Sequence, residues 1–142
     1  MAAKGQTLKE FGNLYPAESK LLAACRDGTV AEINVSRPER MKEENRVRAA
    51  FVRFLALGVG VSIHERGLRL VGAAIDGGFD LENCTIPYSI IIFNCLFGVD
   101  DKNLNSLNFR YSVFEGIVLL SGSLISSLGS GPINSLFKPM RL

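Results

Sequence analysis

The sequence predicts an α+β fold: a helical cap over residues 1–60, then a short β-helix, a solenoid of stacked coils, over residues 61–142. Three observations predict it. A six-residue pattern recurs six times between Leu70 and Leu136, two stretches ahead of it show helical apolar spacing and end in glycine, and 47% of the residues are hydrophobic although no apolar run is long. A fixed period marks an architecture in which each unit buries its apolar side against its neighbours. At 142 residues the chain is long enough to bury a sizeable core.

The first helix opens at Leu14-Tyr15-Pro16-Ala17-Glu18, since proline is tolerated at an early helical position and a carboxylate suits the positive end of the helix dipole. Leu21, Leu22 and Cys25 give it one apolar face, and Gly28 stops it. A second helix is expected between Glu43 and Leu57, where Val47, Ala50, Phe51, Phe54 and Leu55 fall at helical spacing while Arg46, Arg48 and Arg53 lie off that stripe. Gly58 ends it. The two helices are expected to pack as an antiparallel pair over the first coil, shielding its open edge. His64 then falls in a tight connection between two short strands.

The repeat pairs two bulky apolar anchors five residues apart with a small residue two places before the second. Its copies run from Leu70 to Ile75 around Ala73, Leu81 to Ile86 around Cys84, Ile92 to Phe97 around Cys95, Phe109 to Phe114 around Ser112 and Leu120 to Ile125 around Ser123, with a degenerate copy from Gly131 to Leu136 around Asn134. Copies start eleven residues apart, except for one interval of seventeen that contains a six-residue insertion, Gly98 to Asn103. Side chains alternate along a strand, so anchors at a spacing of five require a corner between them. Gly72, Asn83, Asn94 and Gly122 occupy these corners because they accept unusual backbone angles. Four faces of this kind close a square coil of roughly two periods, with the small residues inward where larger ones would collide.

Ala73-Ala74-Ile75-Asp76-Gly77 and Ser112-Val113-Phe114-Glu115-Gly116 resemble the pentapeptide-repeat family over about residues 68–128, and the stretch from His64 to Leu70 looks like the front of larger bacterial pentapeptide-like proteins. The resemblance implies a right-handed quadrilateral β-helix. Alternating fives and sixes and the insertion depart from the family pattern, which makes the coil less regular. Several small members of that family mimic duplex DNA and block DNA-handling enzymes, and short anti-CRISPR proteins of phages and mobile elements use acidic surfaces similarly. That role is what the resemblance implies for this chain.

Charge distribution adds an independent observation. Residues 1–69 carry twelve Lys/Arg against eight Asp/Glu, residues 70–125 two against six, and residues 126–142 two against none, so the repeat is net −4 between basic ends. Asp76, Asp80, Glu82 and Glu115 flank inward anchors and are expected to point outward, and Asp100 and Asp101 sit in the insertion. A run of the opposite sign is made by Arg37, Arg40, Lys42, Arg46, Arg48 and Arg53, relieved by Glu39, Glu43 and Glu44. It reads either as a solvated helix face with intrahelical ion pairs or as a phosphate-binding face, the latter without aromatic side chains for stacking bases.

Catalytic patterns are sparse. His64 is the sole histidine, with no nucleophile in pattern beside it. The carboxylates of Asp76 to Glu82 lack the ligand order of a calcium loop, Gly58-Val59-Gly60-Val61 lacks the residues of a phosphate loop, and Ser121, Ser123, Ser126, Ser127 and Ser130 read as coil and turn positions. Cys25, Cys84 and Cys95 show neither disulfide parity nor zinc spacing and are expected to be buried thiols. No metal or other cofactor is expected. The start lacks a secretory pattern, and apolar runs fall short of a bilayer span, so a soluble, cytoplasmic protein is expected, with no membrane partner.

The expected function is that of a non-catalytic inhibitor. Its acidic flank, Asp76, Asp80, Glu82, Asp100, Asp101 and Glu115, would occupy a partner's basic nucleic-acid-binding groove, with a CRISPR effector complex as the most concrete case and no direct DNA binding of its own. Two other readings stand beside it: a structural module of a larger pentapeptide-like protein, with Leu136, Phe137, Met140 and Leu142 packing on further coils or a second copy, and a nucleic-acid binder acting through Arg46, Arg48 and Arg53. The oligomeric state is open at this stage.

Overall fold

The structure, a computed structural model, describes residues 7–99, 107–122 and 124–125. Asp100, Asp101, Ser123, the serines at 126, 127 and 130, and the degenerate copy at 131–136 lie outside the described residues. Helix α1 (Pro16–Asp27) begins at the expected proline and ends at Gly28, whose φ of +76° no β-carbon favours. Leu21, Leu22 and Cys25 are buried, as their spacing requires. Helix α2 (Ala49–Leu57) ends at Gly58 with φ +66°.

The start of α2 corrects the expected helix. Glu43–Asn45 form a 3-10 turn and Arg46–Arg48 form a strand, β2, so the helical stripe begins only at Ala49. Val47 is fully buried between two half-buried arginines, and that alternation suits a strand as well as a helix. Parallel pairing with β4 (Ala74–Asp76), in the register Val47↔Ile75, decides it. With the helix shortened, Ala50 is exposed, and Ala49 and Val52 face the core in its place.

The front end is therefore more than a helical cap. It supplies β1 (Ala31–Glu32) and β2 as edge strands of two parallel sheets. The remaining strands are β3 (Leu68–Val71), β5 (Phe79–Asp80), β6 (Thr85–Ile86), β7 (Ile90–Phe93), β8 (Leu96–Val99), β9 (Leu107–Asn108), β10 (Val113–Phe114), β11 (Val118–Leu119) and β12 (Leu124–Ile125). They form the sheets β1-β3-β7-β11, β2-β4-β8-β12, β5-β9 and β6-β10, and every pairing is parallel among the described residues. Helix α1 packs chiefly on β1, β2 and β3, and α2 on β2, β5 and β6. The two helices also touch each other, as expected of a pair, but α1 rests mainly on β1, β2 and β3 and α2 mainly on β5.

From β3 onward each strand pairs with the strand four places later, and the offsets carry the sequence period. Leu68 pairs with Ile90 and Ala74 with Leu96, 22 residues on, which is two periods of eleven. Phe79 pairs with Leu107 and Thr85 with Val113, 28 residues on, and the excess of six over 22 matches the insertion. The insertion begins as an irregularity inside β8: Ile75 faces Phe97 but Asp76 faces Val99, leaving Gly98 as the extra residue.

The anchors Leu70, Ile75, Leu81, Ile86, Ile92, Phe97 and Phe109 are all fully buried, while Phe114 and Leu120 are half-buried. Phe79 stacks with Phe97 and meets Phe109 edge-on, and Phe109 meets Phe114 edge-on at 5.3 Å. Among the small residues Ala73, Cys95 and Ser112 are buried; Cys84 is only half-buried, short of the interior place expected for it. The third position of every copy from Leu70 to Ile125 has positive φ: Gly72 +75°, Asn83 +59°, Asn94 +53°, Tyr111 +55° and Gly122 +69°. Tyr111 is the addition, since an aromatic residue pays strain there that glycine and asparagine avoid.

Candidate functional site

The three arginines offered by the sequence as a basic surface are turned to structural partners. Arg48 donates from Nε and Nη2 to the two carboxylate oxygens of Glu18, both at 2.9 Å, and its backbone N–H reaches the same carboxylate at 2.9 Å. Glu18 is fully buried and also accepts the Tyr15 N–H, which makes it the hinge between α1 and β2. These hydrogen bonds raise the Arg48 guanidinium above its ordinary pKa. The guanidinium lies over the rings of Phe11 and Tyr15, and Arg46 lies over Tyr15 at 4.8 Å.

Arg46 is ion-paired with Asp76. Arg53, on α2, donates to the Asp80 carbonyl at 3.1 Å and approaches the Cys84 sulfur at 3.7 Å. The expected helical basic face is therefore absent: Arg46 and Arg48 stand on a strand, Arg46 and Arg53 tie the front end to the repeat, and Arg48 ties β2 to α1 within the front end.

The acids divide differently. Asp76 is spent on Arg46, with a side chain only 18% exposed, which removes it from a free acidic flank. Asp80 and Glu82 are exposed and adjoin each other, the Asp80 carboxylate accepting the Glu82 N–H at 2.9 Å. Glu82 also accepts from the Asn108 side chain at 3.0 Å. Glu115 is exposed beyond β10, its N–H bonded to the Ile86 carbonyl.

His64 sits in the loop between α2 and β3 rather than between two strands. Its N–H donates to the Cys25 carbonyl, its Nδ1 accepts the Arg66 N–H at 3.1 Å, and its ring fills the space over Gly28. That is a packing role. An open hollow of about 610 Å³ lies between Gly58–Ile63 and Tyr88, and another of about 430 Å³ is lined by Arg37, Arg40 and Lys42 together with Ser36, Glu39 and Glu44. Among the described residues no group of three His, Cys, Asp or Glu side chains is placed to hold a metal ion, and no helix is long and apolar enough to cross a membrane.

Two features escaped the sequence reading. The first is a strap: after β1, Ile33 donates to the Val71 carbonyl, Asn34 Nδ2 to the Gly72 carbonyl at 3.0 Å, Asn94 Nδ2 to the Val35 carbonyl at 3.2 Å, and Arg37 Nη1 to the Gly122 carbonyl at 3.5 Å. Gly72, Asn94 and Gly122 are the corner residues following β3, β7 and β11, so residues 33–37 run across three successive strands of one sheet edge. A β-carbon on Gly72 would stand 2.0 Å from the Asn34 carbonyl oxygen. No local pattern announces such a strap, because each bond joins residues far apart in sequence. The second feature is a set of exposed apolar side chains, Tyr111, Val113, Ile117 and Leu119.

Comparison with protein-family models, with curated proteins and with solved structures gave no match.

Proposed function

We propose that this chain is a non-catalytic interaction protein wound as a right-handed square coil, and that Asp80, Glu82 and Glu115 engage a basic nucleic-acid-binding groove on a partner protein. The recurrence of every fourth strand in the same sheet, at offsets of 22 and 28, supports the winding. The unequal fate of the two charge sets supports the function: Arg46, Arg48 and Arg53 are consumed by contacts within the chain, whereas Asp80, Glu82 and Glu115 stay exposed on the repeat. Side chains already bound internally would have to give up those contacts before meeting phosphate. Exposed carboxylates, two of them already oriented by the Glu82 N–H and the Asn108 amide, meet a cationic groove at little ordering cost. The mechanism is competition, the acids standing where phosphates would lie. A CRISPR effector that binds target DNA is the most specific instance of such a partner.

The test is charge reversal. A partner is captured from the native host and identified by mass spectrometry, and its binding is measured for the wild type and for Asp80→Lys/Glu82→Lys/Glu115→Lys. Reversal weakens binding by about tenfold or more, mainly through slower association, and added salt weakens the wild-type complex. Thermal stability stays unchanged and duplex DNA is not bound at physiological salt. Equal binding by the reversed variant would sink the proposal.

A further inference from the structure

The basic run divides at Asn45. Arg46 and Arg48, after it, are bound within the chain, whereas the side chains of Arg40 and Lys42, before it, make no hydrogen bond or ion pair among the described residues. Arg37 spends one guanidinium nitrogen on the Gly122 carbonyl at 3.5 Å and keeps the rest of its fork. All three cations line the hollow of about 430 Å³. Glu39 and Glu44 line it too, yet neither is ion-paired with them among the described residues.

The backbone gathers these like charges. Between β1 and the 3-10 turn at Glu43–Asn45 the chain has neither helix nor strand, and side chains fix its course at both ends. Asn34 is bonded to the Gly72 carbonyl at 3.0 Å. Asn45, 4% exposed, accepts the Lys42 N–H on Oδ1 at 2.7 Å and donates from Nδ2 to the Arg40 carbonyl at 3.2 Å. One buried amide therefore grips both residues whose side chains are free, and Pro38 stiffens the segment between the two fastenings. A loop held in this way presents its cations with little freedom left to lose on binding.

The lining selects the ligand. Two of the cations are arginines, whose planar forks match phosphate oxygens in pairs, and Lys42 adds a point charge. A hollow of this volume takes a small molecule. The carboxylates of Glu39 and Glu44 repel a long polyanion such as a nucleic-acid strand, while a compact dianion fits among the three cations. We propose that Arg37, Arg40 and Lys42 form a binding site for the terminal phosphate of a small phosphorylated compound, with Asn45 positioning Arg40 and Lys42. None of these residues belongs to the acidic surface, so the inference stands whether or not that surface binds a partner.

The test is a titration of the isotope-labelled full chain, followed by amide chemical shifts, with inorganic phosphate and with glycerol phosphate against glycerol. At physiological salt both phosphates should shift the Arg37, Arg40 and Lys42 amides along saturating curves. Glycerol, or chloride added to the same ionic strength, should not. Arg40→Gln/Lys42→Gln should weaken binding by at least about tenfold, since two charge-assisted hydrogen bonds are lost. Its circular dichroism should be unchanged, both side chains being exposed. Asn45→Ala keeps every cation but releases the loop, and should weaken binding severalfold where a role of charge alone would leave it as it was. If that variant fails to fold, Arg40→Lys, which keeps the charge but removes the planar fork, should weaken binding in its place. Shifts that grow without saturation, or unchanged binding in the double variant or in the positioning variant, overturn the proposal. A thymidine oligonucleotide that binds more tightly than glycerol phosphate, and more so with length, does so as well and assigns the cations to a nucleic-acid backbone.

Discussion

Removing the Glu18 carboxylate should cost the fold a large share of its stability. Glu18→Ala deletes the acceptor of four N–H groups, two from the Arg48 guanidinium and two from the backbones of Tyr15 and Arg48, all at 2.9 Å. Breaking one side of a buried ion pair costs about 3–5 kcal/mol. The Arg48 side chain keeps 28% exposure, so water can reach part of the stranded cation and the low end, about 3 kcal/mol, is expected for Glu18→Ala. Arg48→Met should cost more, about 4–5 kcal/mol, because the carboxylate it strands has no exposure at all. The double variant Glu18→Leu/Arg48→Met should recover much of the loss, since an apolar pair of similar volume replaces the ions. Urea denaturation of the four proteins measures the cycle, the midpoint shifting at constant slope. Additive single and double variants, or a Glu18→Ala loss under about 1 kcal/mol, would refute the assignment of this pair as the joint between α1 and β2.

Burial pushes the Cys25 thiol from 9.0 to about 12 and the Cys95 thiol to about 11, so in the native protein a bulky thiol reagent at pH 8 should modify only half-buried Cys84, and mass spectrometry after labelling reads this directly. Both folded values lie above the unfolded one. Stability is therefore intact below pH 9 and falls as pH rises from there towards 11 and 12, while the unfolded chain ionises and the folded one does not. Denaturation midpoints at pH 8 and pH 10 test the sign, and replacing both thiols with alanine should flatten the slope. Gly72→Ala forces a β-carbon onto the Asn34 carbonyl at φ +75° and should destabilise by about 1–3 kcal/mol, measured by denaturation, with faster amide exchange at Ile33. Asn94→Ala, which loses both a left-handed residue and the bond to Val35, should cost about 1–2 kcal/mol in the same assay.

The repeat was legible in the sequence because its determinants are local. A bulky anchor, a small residue and a residue tolerant of positive φ recur within six positions, and the structure buries the anchors Leu70, Ile75, Leu81, Ile86, Ile92, Phe97 and Phe109 and gives positive φ to Gly72, Asn83, Asn94 and Gly122 accordingly. The length of the insertion could be read from the break in period. What the sequence concealed depends on partners distant along the chain. Val47 between two arginines fits a helix stripe or a strand, and only pairing with Ile75 chooses. The arginines looked solvated because nothing near them in sequence shows that Glu18 lies beneath Arg48 or that Arg46 meets Asp76. The candidate acidic surface was legible in composition, but which acids remain exposed was not, since one of the six is claimed by a residue thirty positions earlier.

The strap at 33–37 limits how such a protein can change in length. Arrays of stacked units ordinarily grow or shrink by duplication or loss of a unit, because each touches only its neighbours. Here a short segment made early in the chain is fastened at Gly72, Asn94 and Gly122 together. A 22-residue unit inserted between the first two attachments would push them apart by one strand spacing, about 4.8 Å, and the segment would have to release one of its bonds or lengthen with it. The tie therefore works as a gauge. It also makes the last described strands answer to the first, so the parallel sheets should open as one cooperative body instead of fraying strand by strand from the far end.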